Sequence, residues 1–281
     1  MSSVRVPTER VPTYDSARIK LQSIFELKEL VRYRYLVWNL IARDLKVRYK
    51  RSFLGFIWVM LNPLLMTAVL AIVFTNFARF GGVQYYTAYL LAGILMWNLF
   101  SQGTVAAMSN LVGNAGTLRR MYIPPSVFVV SAIGSALVNF VFALAPLFII
   151  AVILGVQPGL TWLYTPVPVL EVVIFSFGVG LIVSSMIVFF TDIYEIYSVI
   201  LMLGMYLTPV FYPVTILPEP LRSAEQFNPM FLTMDGLRSA VLYGTLPSLQ
   251  EALLPAAIAL VVFIVGWLFF TRLEGKFAYQ L

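Results

Sequence analysis

The sequence predicts an all-α polytopic membrane protein. It should have six transmembrane helices, an N-terminal amphipathic interface helix, short re-entrant helices between spans five and six, and both termini in the cytoplasm. Three observations predict this. The 281 residues are 60% hydrophobic and only 11% charged, against about 25% charged in soluble domains. Several apolar runs approach or exceed the roughly 20 residues that cross a bilayer. Lysine and arginine are also unevenly placed. Twelve precede the first span, two lie in the 113–125 loop and two follow the last span, whereas only Arg79, Arg222 and Arg238 fall on the opposite side. The positive-inside rule then puts both termini in the cytoplasm.

Residues 1–24 carry Pro7, Pro12 and scattered charge and read as a flexible cytoplasmic tail. They contain no apolar core of the kind a signal peptide needs. Residues 25–52 form the interface helix. Leu27, Val31, Trp38, Ile41 and Leu45 recur at helical spacing, and Lys28, Glu29, Arg32, Arg43, Asp44 and Lys46 fall mostly off that stripe. Such a helix lies in the membrane interface with its cations near anionic headgroups.

A membrane domain over 53–273 follows. Its spans are expected at about 56–78, 85–112, 126–154, 166–190, 196–213 and 252–271, with a polar loop at 113–125 and a cytoplasmic tail at 274–281. Pro63 and Pro146 fall inside spans and should kink them. Residues 214–250 are broken by Asn228-Pro229 into two pieces, neither of spanning length. Two short helices dipping into the outer leaflet fit best, packed on protein or lining a wet cavity. Asp235 and Arg238 stand i,i+3 apart and predict a local ion pair.

The chemistry present is sparse. With no cysteine and no histidine, disulfides, thiol chemistry, His acid–base catalysis and His-ligated zinc are excluded. No cofactor or metal is expected. The P-loop pattern is absent. Lys276 follows Gly275, but Phe270 stands where the first glycine belongs and Phe277 where Ser or Thr belongs. The chain therefore does not hydrolyse ATP. Glu171 is the clearest ionisable group within a span, expected to reach the interface or pair with an outer arginine. So little buried charge argues against an ion-coupled carrier and for external power. The aromatic load of 22 Phe, 15 Tyr and 5 Trp largely reads as interfacial belt. A minority of these rings would line a conduit for sugars.

Three segments carry a family resemblance. RDLKVRYKRSFLGFIWVMLNPL (43–64), LRRMYIPPSVFVVS (118–131), and FYPVTILP with FNPMFLTMDGLRSAVLYG (211–244) resemble the membrane subunits of polysaccharide ABC exporters, the type-2 export permeases. The resemblance covers roughly residues 27–275. It implies a homodimer bound to two copies of a nucleotide-binding ATPase subunit, in a bacterial cytoplasmic (inner) membrane. The substrate would be a lipid-linked polysaccharide, O-antigen first, with teichoic acid or capsule as alternatives. A drug or small-lipid exporter and a non-transporting scaffold are more distant readings. Nucleic acid is not an expected partner.

The resemblance also assigns roles. Arg32, Arg43, Asp44, Arg48, Leu118, Arg119, Arg120 and Met121 would dock and couple the ATPase. Tyr49, Ser52, Gly55, Trp58, Asn62 and Pro63 would form the hinge and the channel entrance. Tyr212, Asn228, Pro229 and Arg238 would form the outer gate.

Overall fold

A computed structural model describes residues 26, 28–50, 52–76, 83–121 and 123–280. The expected tail at 1–24, Leu27, Arg51 and most of the 79–84 connection lie outside the described residues. Among those described, all regular structure is helical. The helices are α1 (Arg34–Tyr49), α2 (Trp58–Asn76), α3 (Tyr86–Gly113), α4 (Ala115–Arg120), α5 (Ser126–Ile153), α6 (Pro166–Phe189), α7 (Ile193–Leu207), α8 (Glu219–Glu225), α9 (Pro229–Arg238) and α10 (Leu249–Gln280). Residues 28–32 are also helical.

Five stretches, containing α2, α3, α5, α6 and α10, are long and apolar enough to cross a membrane. α7 is apolar but has only 15 residues. It stops at Leu207, short of the expected 213, because Pro209 lacks the N–H needed to continue the helix. α10 runs from 249 to 280, well past the expected 271, since no glycine pair or proline interrupts its last turns. It starts with a capping box. The Ser248 N–H donates to Glu251 Oε2 at 2.8 Å, and the Glu251 N–H donates to Ser248 Oγ at 3.3 Å.

α3 is the most buried spanning helix and α2 the least. α3 packs on α2, α5, α6 and α9, and α10 packs along α6. The α6–α10 contact depends on two glycines. A Cβ on Gly178 would lie 2.6 Å from the Phe263 nitrogen, and one on Gly266 would strike the Gly178 carbonyl. Small residues let membrane helices approach this closely.

The expected stripe of the interface helix divides. Val31 and Trp38 are 61% and 66% exposed, whereas Ile41 is buried together with Leu40 against α5. One pairing expectation needs correction: Asp235 does not pair with Arg238, for which three main-chain carbonyls compete as described below. No carboxylate of a described residue ion-pairs with Arg238.

Candidate functional site

The end of the molecule nearest α1 brings two predicted coupling segments together. Leu40 of α1 packs with Val127 and Phe128 of α5, and Leu118 and Ile123 from the 113–125 loop close over them. The α1 helix and that loop are therefore joined by one small apolar core. Asp44 adds a polar tie. Its Oδ1 is 3.0 Å from Arg43 Nη2, and its Oδ2 accepts from Asn110 Nδ2 of α3 at 3.1 Å. Arg32 pairs with Glu29 at 3.3 Å. Arg119, Arg120 and Met121 are exposed beyond Leu118.

Next to this end two cavities adjoin. One of about 440 Å³ is lined by Arg43, Asp44, Arg48, Gln102, Asn110 and Ser135, among others. The other, about 370 Å³, continues past Arg48, Ser52 and Trp58 to Asn62, Pro63, Asn98, Gln102 and Asn139. Arg48, Gln102 and Ala136 line both. Arg48 makes no ion pair with a described residue and stands at the junction. Asn98, Gln102 and Asn110 are spaced i, i+4 and i+12 along α3, so the first two share a face and the third falls nearby. Asn62 and Gln102 are exposed on the flank of the protomer. A carboxamide in hydrocarbon without a partner costs several kcal/mol by order of magnitude. This flank is thus built to meet water, another protein surface or a polar substrate, not acyl chains.

The residues predicted as a hinge sit at the edge of the same groove. The Gly55 N–H donates to Ser52 Oγ at 3.1 Å, and Gly55 has φ +49°, a left-handed value that glycine adopts without strain. Trp58, Asn62 and Pro63 line the groove from the first turns of α2. Tyr49 is the last residue of α1.

The far end is organised around the turn that follows α7. Four consecutive carbonyls there accept side-chain donors. Pro209 O accepts from Arg238 Nη1 at 3.0 Å and Val210 O from Arg238 Nη2 at 2.8 Å. Phe211 O accepts from the Tyr86 hydroxyl at 2.7 Å and Tyr212 O from the Tyr89 hydroxyl at 3.0 Å. The Tyr212 hydroxyl reaches back to Tyr206 O and Leu207 O at 2.7 and 2.8 Å. Asn228 caps α9, accepting from the Met230 N–H at 3.0 Å. Its Nδ2 donates to Thr208 Oγ1 and Glu225 Oε2, both at 2.9 Å. Pro229 takes the first helical position, where its missing N–H costs nothing. Burial pushes the Glu225 carboxyl above its usual range, and the Asn228 bond pulls it partly back.

The sequence-predicted residues thus fall into three separate places. Arg43, Asp44 and Arg48 meet Ser52, Trp58, Asn62 and Pro63 at the groove, Leu118 lies in the small core under Leu40 with Arg119–Met121 exposed beyond it, and the predicted outer set lies at the opposite end of α3. For Glu171, pairing with an outer arginine is absent among the described residues, Arg79 lying outside them. Glu171 is buried in α6. Sequence reasoning missed Asn98, Gln102 and Asn110, although carboxamides recurring inside an apolar span are a readable signal. It also missed Gly93, and it took Tyr86 and Tyr89 for residues of the aromatic belt. Among the described residues no cluster of three metal-ligating side chains occurs.

A helical membrane protein with a basic end, a polar groove along its apolar helices and a tied turn at the opposite end has features suited to a transporter subunit. The sequence pattern of ABC-2 type transporters matches residues 35–242, and the chain belongs to that family. It is 30% identical over 254 residues to an O-antigen export system permease protein RfbA of Myxococcus xanthus, covering 90% of this chain and 97% of the relative. An RfbA of Klebsiella pneumoniae is 29% identical over 237 residues, covering 84% and 91%. The capsule polysaccharide export inner-membrane protein CtrC of Neisseria meningitidis is 25% identical over 218 residues, covering 73% and 78%.

Proposed function

We propose that the chain is the permease subunit of an ATP-driven exporter that moves a lipid-linked polysaccharide, O-antigen first, across the cytoplasmic membrane. The observation that carries this reading is the groove. Arg43 and Arg48 stand at its basic end, and Asn62, Asn98, Gln102 and Asn139 continue it along the apolar layer. Carboxamides exchange hydrogen bonds with sugar hydroxyls and water alike, and two of them, Asn62 and Gln102, are placed on an exposed flank where lipid would penalise them. The names of the relatives favour O-antigen over capsule.

The chain crosses the membrane six times in this reading. Tyr197 of α7 donates to Thr104 of α3 at 2.8 Å, and the residues after α7 bind Tyr86 and Tyr89 at the start of α3. Along α3 those levels are about 22 to 27 Å apart at 1.5 Å per residue, most of the roughly 30 Å of hydrocarbon. α7 with its turn is therefore the fifth crossing. α8 and α9 start and end at the far end and form the re-entrant pair. The lysine and arginine distribution sets α1 and the end of α10 in the cytoplasm.

Two copies of the chain enclose the conduit. The least buried span, α2, exposes Leu65, Met66, Val69, Ile72 and Val73, and α7 exposes Ile196, Val199, Ile200 and Leu203. Two copies of a separate ATPase subunit dock on α1 and the Arg119–Met121 corner. Because Leu40 and Leu118 share a core, a push on either moves both, and α5 receives it. The Ser52–Gly55 turn passes the motion to α2.

The test is reconstitution of the chain with its ATPase in vesicles loaded with lipid-linked glycan. ATP-dependent glycan transfer is expected. Glycan transfer without ATP, or ATP hydrolysis by a complex that never moves glycan, would reject the reading.

A further inference from the structure

We infer that Arg238 is a positioning residue for export, acting as a clasp that holds the turn after α7 closed against α3. This rests on the exporter reading above for its role in transport, but the clasp itself is stated on geometry alone.

Arg238 is fully buried, and no carboxylate of a described residue pairs with it. A buried cation needs a dense set of partners to be tolerated. Its partners are three carbonyls and a ring. Nε donates to Tyr89 O at 3.3 Å, Nη1 to Pro209 O at 3.0 Å and Nη2 to Val210 O at 2.8 Å. The guanidinium carbon lies 3.5 Å from the centre of the Tyr89 ring. α3 leaves room for it at Gly93, where any Cβ would strike Nη2 and stand 2.8 Å from Val210 O.

The turn holds itself only in part, through the Val210 N–H to Thr208 O bond at 2.6 Å and the Tyr212 hydroxyl. Pro209 and Pro213 have no N–H, and the chain past Leu207 leaves the helical ladder. Its four carbonyls, Pro209 to Tyr212, are all satisfied from outside, two by Arg238 and two by Tyr86 and Tyr89. Since Tyr89 supplies a ring face, a carbonyl and a hydroxyl, one displacement of Arg238 loosens several bonds together. Lysine cannot replace it, having no planar fork for two adjacent carbonyls and no plane to stack. The clasp lies where α7 meets the re-entrant helices, so opening the far end to a glycan requires that turn to move.

The test uses the full chain with its ATPase in proteoliposomes. The native chain lacks cysteine, so Val210→Cys provides a buried reporter that keeps the Val210 carbonyl. An impermeant maleimide should label it slowly in the parent. With Arg238→Lys, labelling should rise about tenfold, and glycan exported per ATP hydrolysed should fall about tenfold, the equivalent of one charge-assisted bond. Tyr89→Phe keeps the ring and the carbonyl and removes one bond, so each effect should be about threefold. Thermal midpoint and ATPase co-purification are followed in parallel. Unchanged labelling in both variants overturns the clasp. So does a fall in thermal midpoint with export per ATP intact, the mark of a purely structural arginine. If Arg238→Lys fails to assemble, Tyr89→Phe decides alone by the same criteria. If the parent complex moves no glycan, the exporter reading fails, while the labelling arm, which needs no substrate, still decides the clasp.

Discussion

The guanidinium of Arg238 stands over the face of Tyr89, 3.5 Å from the ring centre. Arginine on an aromatic face gains on the order of 2 kcal/mol when desolvated, and this pair is buried on both sides. The contact fixes α9 to the first turns of α3, and the 209–212 turn after α7 is tied to the same place. The i,i+3 pairing with Asp235 is given up for it.

Gly93 should tolerate no side chain. Gly93→Ala places a methyl against the guanidinium and the Val210 carbonyl, and overpacking of this kind costs about 1–3 kcal/mol. Thermal unfolding in nanodiscs should show a lowered midpoint. Gly113→Ala, with nothing within 4 Å of the new Cβ, is the control and should be near neutral.

The groove carboxamides should matter for transport and little for folding. Asn98→Leu and Gln102→Leu remove polar groups from a surface set in the apolar layer. Export rate should drop about tenfold for the pair, as for loss of one to two hydrogen bonds in the pathway, with the thermal midpoint held or raised. A double variant that exports at the parental rate would exclude the groove from the pathway.

Asp44 should prove more important than the arginine beside it. Asp44→Ala removes both the Arg43 contact and the Asn110 bond that links α1 to α3. Arg43→Ala removes only an exposed ion pair, worth about 0–1 kcal/mol. Quantitative pull-down of the ATPase should weaken more for Asp44→Ala, and equal weakening would place the docking energy in the charge of Arg43 itself.

Glu225 should give the fold an acid-side preference. Burial holds its carboxyl above the usual range, so the folded chain keeps a proton that the unfolded chain has already lost. Stability is then greatest below the ordinary carboxylate value of about 4 and falls as pH rises through the raised one. Glu225→Gln keeps an acceptor for Asn228 and should flatten the dependence of thermal midpoint on pH in that window. An unchanged slope would assign it to another group.

Much was legible in the sequence, because the bilayer constrains composition so strongly. Low charge, apolar run lengths and the one-sided placement of lysine and arginine determine an all-helical membrane chain. The starts of α5 and α6 follow from local chemistry at Pro125-Ser126 and Pro166. Three motifs, 43–64, 118–131 and 211–244, point to the family to which the chain belongs. Only the tertiary structure decided which residues meet. The face of α1 that is buried depends on where α5 offers apolar surface, so Ile41 is buried with Leu40 while Val31 and Trp38, on Ile41's own stripe, stay exposed. That Leu118 shares a core with Leu40 is a contact between segments some 80 residues apart. The fate of Arg238 was the least readable. Sequence spacing offered Asp235, but the nearer partners were carbonyls 28 and 29 residues earlier and a tyrosine 149 residues earlier. Local spacing reports neighbours along one helix, whereas a buried charge takes whatever donors, acceptors and ring faces the packed helices bring within reach.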